Sequence, residues 1–375
     1  MASVRRPRDG RAWEARYRTP DGRYRSRTFP TKREAQRFVA EVEVDKARGS
    51  WVDPAGARVI LADWAEQWWR TTTNLRPSTR VRDESYLASY ILPEFGRTPL
   101  GRITQLDVRA WVADLDSRDL APATVVKAYQ ILAKILRAAV DGGLIPSTPC
   151  RGIPLPRVER EEMRFLTPSQ VAHLADVIDP RFRALVLVAA YAGLRRAELA
   201  GLRSSRANLP RGQLDIAEIM VEVRGRATFG PPKTRAGRRI VGLPRSVAAE
   251  LGEHLARRPD PGCDLVFQGP AGGVLRAAPF RQRFWLPATQ AAGVTPLRLH
   301  DLRHTAVSFW IAGGASVKEI AVRAGHASVA TVLDRYGHLL PDSDTSLRER
   351  LENMFTTAAN EVAPEEGRVI PLPST

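Results

Sequence analysis

The sequence predicts a multidomain protein, mainly α-helical with small β-sheets, and three observations carry that prediction. At 375 residues the chain is longer than one hydrophobic core usually organises. Its first tenth alternates apolar and charged residues with a period of two, whereas most of the remaining chain repeats apolar residues at helical spacing. Pro146, Pro149, Pro154 and Pro156 then interrupt the helical pattern, and such spacing forbids helix and favours an extended connector. The boundaries expected from this are 1–57 for a basic β-hairpin with a helix, 58–145 for an all-α domain, 146–163 for a Pro-rich linker, 164–355 for an α+β domain and 356–375 for a loosely ordered tail.

Each part has local signals. Trp13, Ala15 and Tyr17 alternate with Glu14, Arg16 and Arg18; Thr19-Pro20-Asp21-Gly22 supplies a turn; and Tyr24 to Phe29 resumes the alternation with Arg25 and Arg27. The expected ribbon has aromatics on one face and arginines on the other. Thr31 with Glu34 forms a capping-box pattern that opens a helix to about Ala47, stopped by Gly49. Helices are then expected over Leu61–Arg70, from Pro77 to Leu92, from the Thr104/Asp107 cap, and from Pro122 to Gly142-Gly143. Trp64, Trp68, Trp69 and Trp111 read as the core of this bundle. After the linker, Thr167 and Gln170 cap a new helix, and Arg181–Leu194 reads as a buried one because Ala184 to Ala190 has no polar side. Leu214–Ile216, Ile219–Val223 and Arg239–Leu243 are expected to form one small antiparallel sheet, followed by helices from Phe280 to Met354.

Charge narrows the partner. The chain carries 57 Lys+Arg against 41 Asp+Glu, a net +16, and the segment from Met1 to Arg37 alone holds half of that excess. A surplus of this size attracts polyanions, and DNA or RNA is the commonest. Cys150 and Cys263 are the only cysteines, which argues against a zinc module or a disulfide framework and for an intracellular, cytoplasmic protein. No apolar run approaches the roughly 20 residues needed to cross a bilayer, so no membrane partner is expected.

Three short motifs lie in the second half: Gly193-Leu194-Arg195-Arg196-Ala197-Glu198; His300-Asp301-Leu302-Arg303-His304; and Gly325-His326, followed by Tyr336. Lys233 falls between the first two and is the only lysine between Lys134 and Lys318. In this order they resemble the tyrosine recombinase, or phage integrase, family, whose motifs are G-L-R-x-x-E, a β-hairpin Lys, H-x-x-R, G-H and a C-terminal Tyr. The resemblance implies a helical core-binding domain and a catalytic domain that clamp duplex DNA, and a homotetramer on DNA attachment sites. It leaves open the need for an excisionase or DNA-bending factor as an accessory partner, and implies no cofactor or metal. The N-terminal piece resembles the arm-type DNA-binding module of phage integrases, with Arg16, Arg18, Arg25 and Arg27 as its DNA-binding candidates.

The roles implied by the resemblance agree with elementary chemistry. Cleaving a phosphodiester needs a nucleophile, neutralisation of the non-bridging oxygens and a proton for the leaving 5′-oxygen. Arg195 and Arg303 are the expected clamp, because a guanidinium binds phosphate through two parallel hydrogen bonds and keeps its charge. Tyr336 is the expected nucleophile, forming a 3′-phosphotyrosyl intermediate. Lys233 is the expected general acid, since arginine could not release the proton. His300 is a candidate base and His326 a candidate hydrogen-bond donor; which histidine moves a proton stays open. Glu198, one helical turn after Arg195, is expected to hold its guanidinium. His304 and His338 are expected to be structural or flanking. The spacing of His300 and His304 suits a helical metal pair, but Arg303 beside them repels a dication. The alternatives are a catalytically inactive DNA-binding regulator of the same fold, a chromosome or plasmid dimer resolvase, and a topoisomerase.

Overall fold

The structure is a computed structural model, and it describes residues 3–6, 10, 12–19, 22, 24–47, 56–73, 75–159, 162–340 and 343–361. The chain divides into two compact units, Met1–Arg160 and Glu161–Thr375.

The first unit opens on an antiparallel sheet of β1 (Ser3–Arg5), β2 (Trp13–Arg18) and β3 (Tyr24–Phe29), followed by α1 (Lys32–Ala47). The sheet therefore has a strand, β1, beyond the expected hairpin. Thr31 and Glu34 form the reciprocal cap that starts α1, with both bonds at 3.3 Å; the expected stop at Gly49 and the turn residues Pro20 and Asp21 lie outside the described residues. The expected separation of aromatics from arginines is wrong. Five residues connect β2 to β3, so that Arg18 pairs with Tyr24, Tyr17 with Arg25, and Ala15 with Arg27. Directly paired residues share a face. Arg25 and Arg27 thus lie on the face that packs on α1, where Phe38 meets the rings of Tyr17 and Phe29 at 5.5 and 5.1 Å. The Arg27 guanidinium sits 5.2 Å from both Phe29 and Phe38. Arg16 and Arg18 occupy the opposite face with Tyr24 and the Arg5–Glu14 ion pair.

The rest of this unit is helical: α2 (Leu61–Thr71), α3 (Pro77–Tyr86), α4 (Leu92–Phe95), α5 (Gln105–Ser117) and α6 (Pro122–Asp141). A π-turn, Leu87–Ile91, joins α3 to α4 just before Pro93, whose missing N–H frees a carbonyl of the preceding turn. The Thr104/Asp107 capping box and Pro122 open α5 and α6 as expected. The core is built from Leu61, Ile91, Leu115, Ile131, Leu132 and Leu136. Trp69 and Trp111 are buried in this unit and Trp64 and Trp68 half-buried. Three indoles donate inward: Trp64 to the Ile135 carbonyl (2.9 Å), Trp69 to Glu84 (2.8 Å) and Trp111 to the Tyr90 carbonyl (3.1 Å).

The second unit begins with α7 (Pro168–Val177), opened by the Thr167/Gln170 capping box, α8 (Arg183–Ala192) and α9 (Arg196–Gly201). Next come β4 (Ala207–Asn208), β5 (Gln213–Ile216), β6 (Ile219–Val223), β7 (Arg226–Gly230) and β8 (Arg239–Gly242). Here too the expectation needs correcting, because two sheets form where one was expected: β4-β5-β8, and a separate β6-β7 hairpin. Arg224 (φ 49°) and Gly225 (φ 74°) form its two-residue turn, whose positive dihedrals suit the strand twist. Six helices come after the sheets: α10 (Arg245–Arg257), α11 (Ala277–Phe280), α12 (Leu286–Ala291), α13 (Asp301–Ala312), α14 (Val317–Ala324) and α15 (Ala330–Tyr336), and then α16 (Ser343–Glu361). α16 runs six residues into the segment expected to be a loose tail. α8, apolar from Ala184 to Ala190, lies in the main core of this unit with Val171, Leu251, Phe267, Trp285 and Leu302. Val307, Ile311, Ile320, Val332 and Tyr336 form a smaller, separate cluster. Among the described residues no helix is long and apolar enough to cross a membrane.

Candidate active site

Two helix C-termini build the site. α8 ends at Gly193 (φ 63°) and α14 at Gly325 (φ 62°), both in the left-handed conformation that glycine adopts without strain. A side chain at either would also collide. A Cβ at 193 would meet the Trp310 ring at 2.7 Å, and one at 325 the Ala236 carbonyl at 2.9 Å. The last carbonyls of each helix, which carry its partial negative charge, are thereby left to receive cations.

Three guanidiniums take them. Arg303, only 3% exposed, donates to the Gly193 carbonyl (2.6 Å), the Ala324 carbonyl (2.5 Å) and Nε2 of His326 (3.0 Å). Arg195 donates to the Gly325 carbonyl (3.0 Å) and to Glu198 Oε1 (2.8 Å), and its side chain keeps 37% exposure. Arg239 donates to both oxygens of Glu198 (3.1 and 3.0 Å) and to the carbonyls of Gly237 (3.0 Å) and Arg323 (2.6 Å). One carboxylate therefore serves two arginines, and it also accepts the backbone N–H of Arg195 at 2.9 Å. Burial alone would raise the pKa of Glu198, but the Arg239 bonds and charge, the Arg195 N–H and the Arg195 charge together leave it below the ordinary value. Burial first, then repulsion from Arg195, pushes Arg303 down to about 9, so it remains a cation at neutral pH.

His326 and His304 are neutral at pH 7. Burial, then Arg303, lowers His326 to about 4. Because its Nε2 accepts from an arginine, the proton must sit on Nδ1, which is buried with no hydrogen-bond partner. His300 is exposed, edge-on to His304 at 5.1 Å, and its pKa is lowered by desolvation and then by Arg303. His304, expected to be structural or flanking, touches the candidate nucleophile: its Nδ1 lies 2.7 Å from the Tyr336 hydroxyl. The Tyr336 ring is only 1% exposed, sealed by Val307, Ile311 and Val332. Burial raises the Tyr336 pKa, against the opposing charges of Arg303 and Arg335.

Lys233 is exposed and lies outside the β6-β7 hairpin, in the loop between Gly230 and the short turn Arg235–Gly237. Arg196 is exposed, and so is His338. Sequence reasoning missed Arg239 and His304. Arg239 did leave a signal, because it shares the strand parity of the buried Val241 while Ile240 between them faces out.

Known proteins resemble this chain in sequence and in fold. The Phage integrase family matches residues 164–342, and the Phage integrase, N-terminal SAM-like domain, matches residues 60–115. A putative prophage phiRv2 integrase of Mycobacterium tuberculosis is 28% identical, over 94% of this chain and 95% of its own length. Among solved structures, the Tn1549 transposon integrase in complex with a circular intermediate DNA shares the fold with a TM-score of 0.68 at 18% identity, over 78% of this chain and 99% of that one. The lambda integrase tetramer bound to a Holliday junction does so at 0.54 and 16% identity, over 88% and 93%. The sequence matches and the fold thus point to one family. The chain belongs to the phage integrase family of tyrosine recombinases, and it is a site-specific DNA recombinase.

The shared carboxylate generates a prediction. Glu198→Ala leaves the buried Arg239 without its counter-charge and should cost about 3–5 kcal/mol in urea unfolding. Because the folded pKa of Glu198 is depressed, its contribution is present above about pH 4.5 and lost as pH falls through the folded value. The wild type should therefore lose more stability than the variant on acidification below pH 4.5; equal losses would contradict the ion-pair account.

Proposed function

We propose that this chain integrates and excises a phage or other mobile element, cleaving DNA through a 3′-phosphotyrosyl link to Tyr336. One observation carries the reading. Three consecutive residues, Ala324, Gly325 and His326, accept hydrogen bonds from Arg303, Arg195 and Arg303 respectively, so two guanidiniums and an imidazole converge within one hydrogen bond of a single helix end. Arg195, Arg239 and Arg303 against Glu198 leave a local excess of positive charge, suited to a phosphate approaching the open side of Arg195. The unpartnered Nδ1–H of His326 is a further donor for a phosphate oxygen. His300, exposed beside His304, would orient the same group. In this reading the guanidiniums supply the charge that a metal ion supplies in other nucleases, so cleavage needs neither metal nor cofactor.

In the reaction the Tyr336 oxygen attacks phosphorus, the bond to the 5′-oxygen breaks, and Lys233 protonates the leaving oxygen. The 5′-hydroxyl of a partner duplex then reverses the step. Since the Tyr336 ring is sealed, the scissile phosphate reaches its hydroxyl only once the apolar side chains that cover it give way. The exposed apolar side chains Leu351, Met354 and Phe355 on α16 suit contact with another protomer, which supports a homotetramer on two attachment sites. We further propose that it acts in the cytoplasm of a bacterial host, with an excisionase or bending factor to set direction. We further assign 1–57 to an arm-binding module, 58–145 to core binding, 146–163 to the linker and 164–355 to catalysis. Arg16 and Arg18, on the sheet face away from α1, are the stronger DNA-binding candidates of the four arginines.

Tyr336→Phe should bind attachment-site DNA with unchanged affinity in gel-shift titration and form no covalent complex; an adduct in that variant would remove the assignment. Lys233→Ala should cleave about 10²–10⁴-fold more slowly, and should recover on DNA whose bridging 5′-oxygen is sulfur, a better leaving group. Absence of recovery would remove Lys233 as the acid.

A further inference from the structure

We propose that His304 is the catalytic residue that accepts the Tyr336 proton: its Nδ1 holds the phenolic hydroxyl at 2.7 Å and takes the proton as the oxygen bonds to phosphorus. The proposal rests on the reading of Tyr336 as nucleophile and adds the group that activates it.

Geometry selects His304 over the other imidazoles. His326 has its Nε2 occupied by Arg303 and its Nδ1 already protonated, so it has no lone pair to offer. His300 touches His304 ring to ring; no hydrogen bond joins it to the phenol. His304 is itself fixed on α13, buried between the α15 residue Tyr336 and the ring of His300. The charged and titratable groups acting on it are His300, Asp301, Arg303 and Arg335, besides Tyr336. Burial first, then His300, lowers its pKa to about 4, with Arg335 and Arg303 adding and Asp301 opposing. Above about pH 5 the ring is neutral, and we place its single proton on Nε2, so that the Nδ1 lone pair faces the phenol. An incoming phosphate brings negative charge beside Arg303 and strengthens the base as the reaction begins.

The step balances. A lone pair of the Tyr336 oxygen forms the P–O bond, the phenolic proton passes to Nδ1, and His304 becomes an imidazolium. The P–O5′ pair leaves with the 5′-oxygen, which takes its proton from Lys233. Resealing runs in reverse, and the imidazolium returns its proton to the departing tyrosine oxygen.

His304→Asn tests this, because the amide can stand where Nδ1 stands and keep the hydrogen bond to Tyr336 but is not a base. On nicked attachment-site DNA that traps the covalent complex, the variant should bind DNA as the wild type does. It should cleave about 10²–10⁴-fold more slowly at pH 7. Its rate should rise tenfold per pH unit from 7 to 9, hydroxide now removing the proton, while the wild-type rate stays flat. If His304→Asn fails to fold, as shown by loss of DNA binding, His304→Gln is read by the same two criteria. A folded variant with the wild-type rate and a flat profile would reduce His304 to a structural partner and overturn the proposal. If the wild type itself forms its adduct elsewhere than Tyr336, the nucleophile assignment fails first, and this proposal with it.

Discussion

A single buried carboxylate is the constraint on which the site depends. Glu198 accepts from the side chain and backbone of Arg195 and from both terminal nitrogens of Arg239. Three like-charged guanidiniums, Arg195, Arg239 and Arg303, repel one another at this range, and desolvation adds to the cost. The fold offsets both with one formal negative charge and with the carbonyl ends of α8 and α14. Hydrogen bonds to these fixed groups orient the guanidiniums before any substrate arrives, so little reorganisation remains for the moment of reaction. The two glycines that cap those helices are therefore part of the electrostatics: without a left-handed residue at 193 and 325, the carbonyls would not turn toward the arginines.

The nucleophile is treated oppositely. Tyr336 belongs to a small apolar cluster separate from the main core of its unit, on a helix of seven residues. Its hydroxyl has one hydrogen-bonding histidine, and burial disfavours the phenolate. In the proposed reading this keeps the tyrosine unreactive until DNA and neighbouring protomers open the apolar cover over its hydroxyl. A short element held by few side chains is easier to displace than the arginine cluster, which is tied to three chain segments far apart in sequence.

Much of the fold was legible because its signals are local. The reciprocal caps at Thr31, Thr104 and Thr167 depend on residues three apart, and Pro122 and Gly142 bound α6 by backbone chemistry alone. What the sequence hid was register and convergence. A five-residue connection decides which face Arg25 and Arg27 occupy, and alternation within each strand says nothing of how two strands align. The pairing of β6 with β7 was missed because Arg226–Gly230 lacks the apolar alternation of its partner. In the site, the motif residues Arg195, Glu198 and Arg303 could be named from spacing. The link from His304 to Tyr336 spans 32 positions, and that from Arg239 to Glu198 spans 41. No periodicity encodes such contacts; only packing of α13 on α15, and of β8 near α9, creates them.

The most direct test of the account is to find the atom that DNA becomes joined to. The covalent complex trapped on nicked attachment-site DNA should be digested with trypsin and nuclease and the adduct located by mass spectrometry. The account predicts a single modified peptide, with a nucleotide 3′-phosphate esterified to the hydroxyl of Tyr336. A 5′-linked nucleotide, or an adduct on any other side chain, would contradict it.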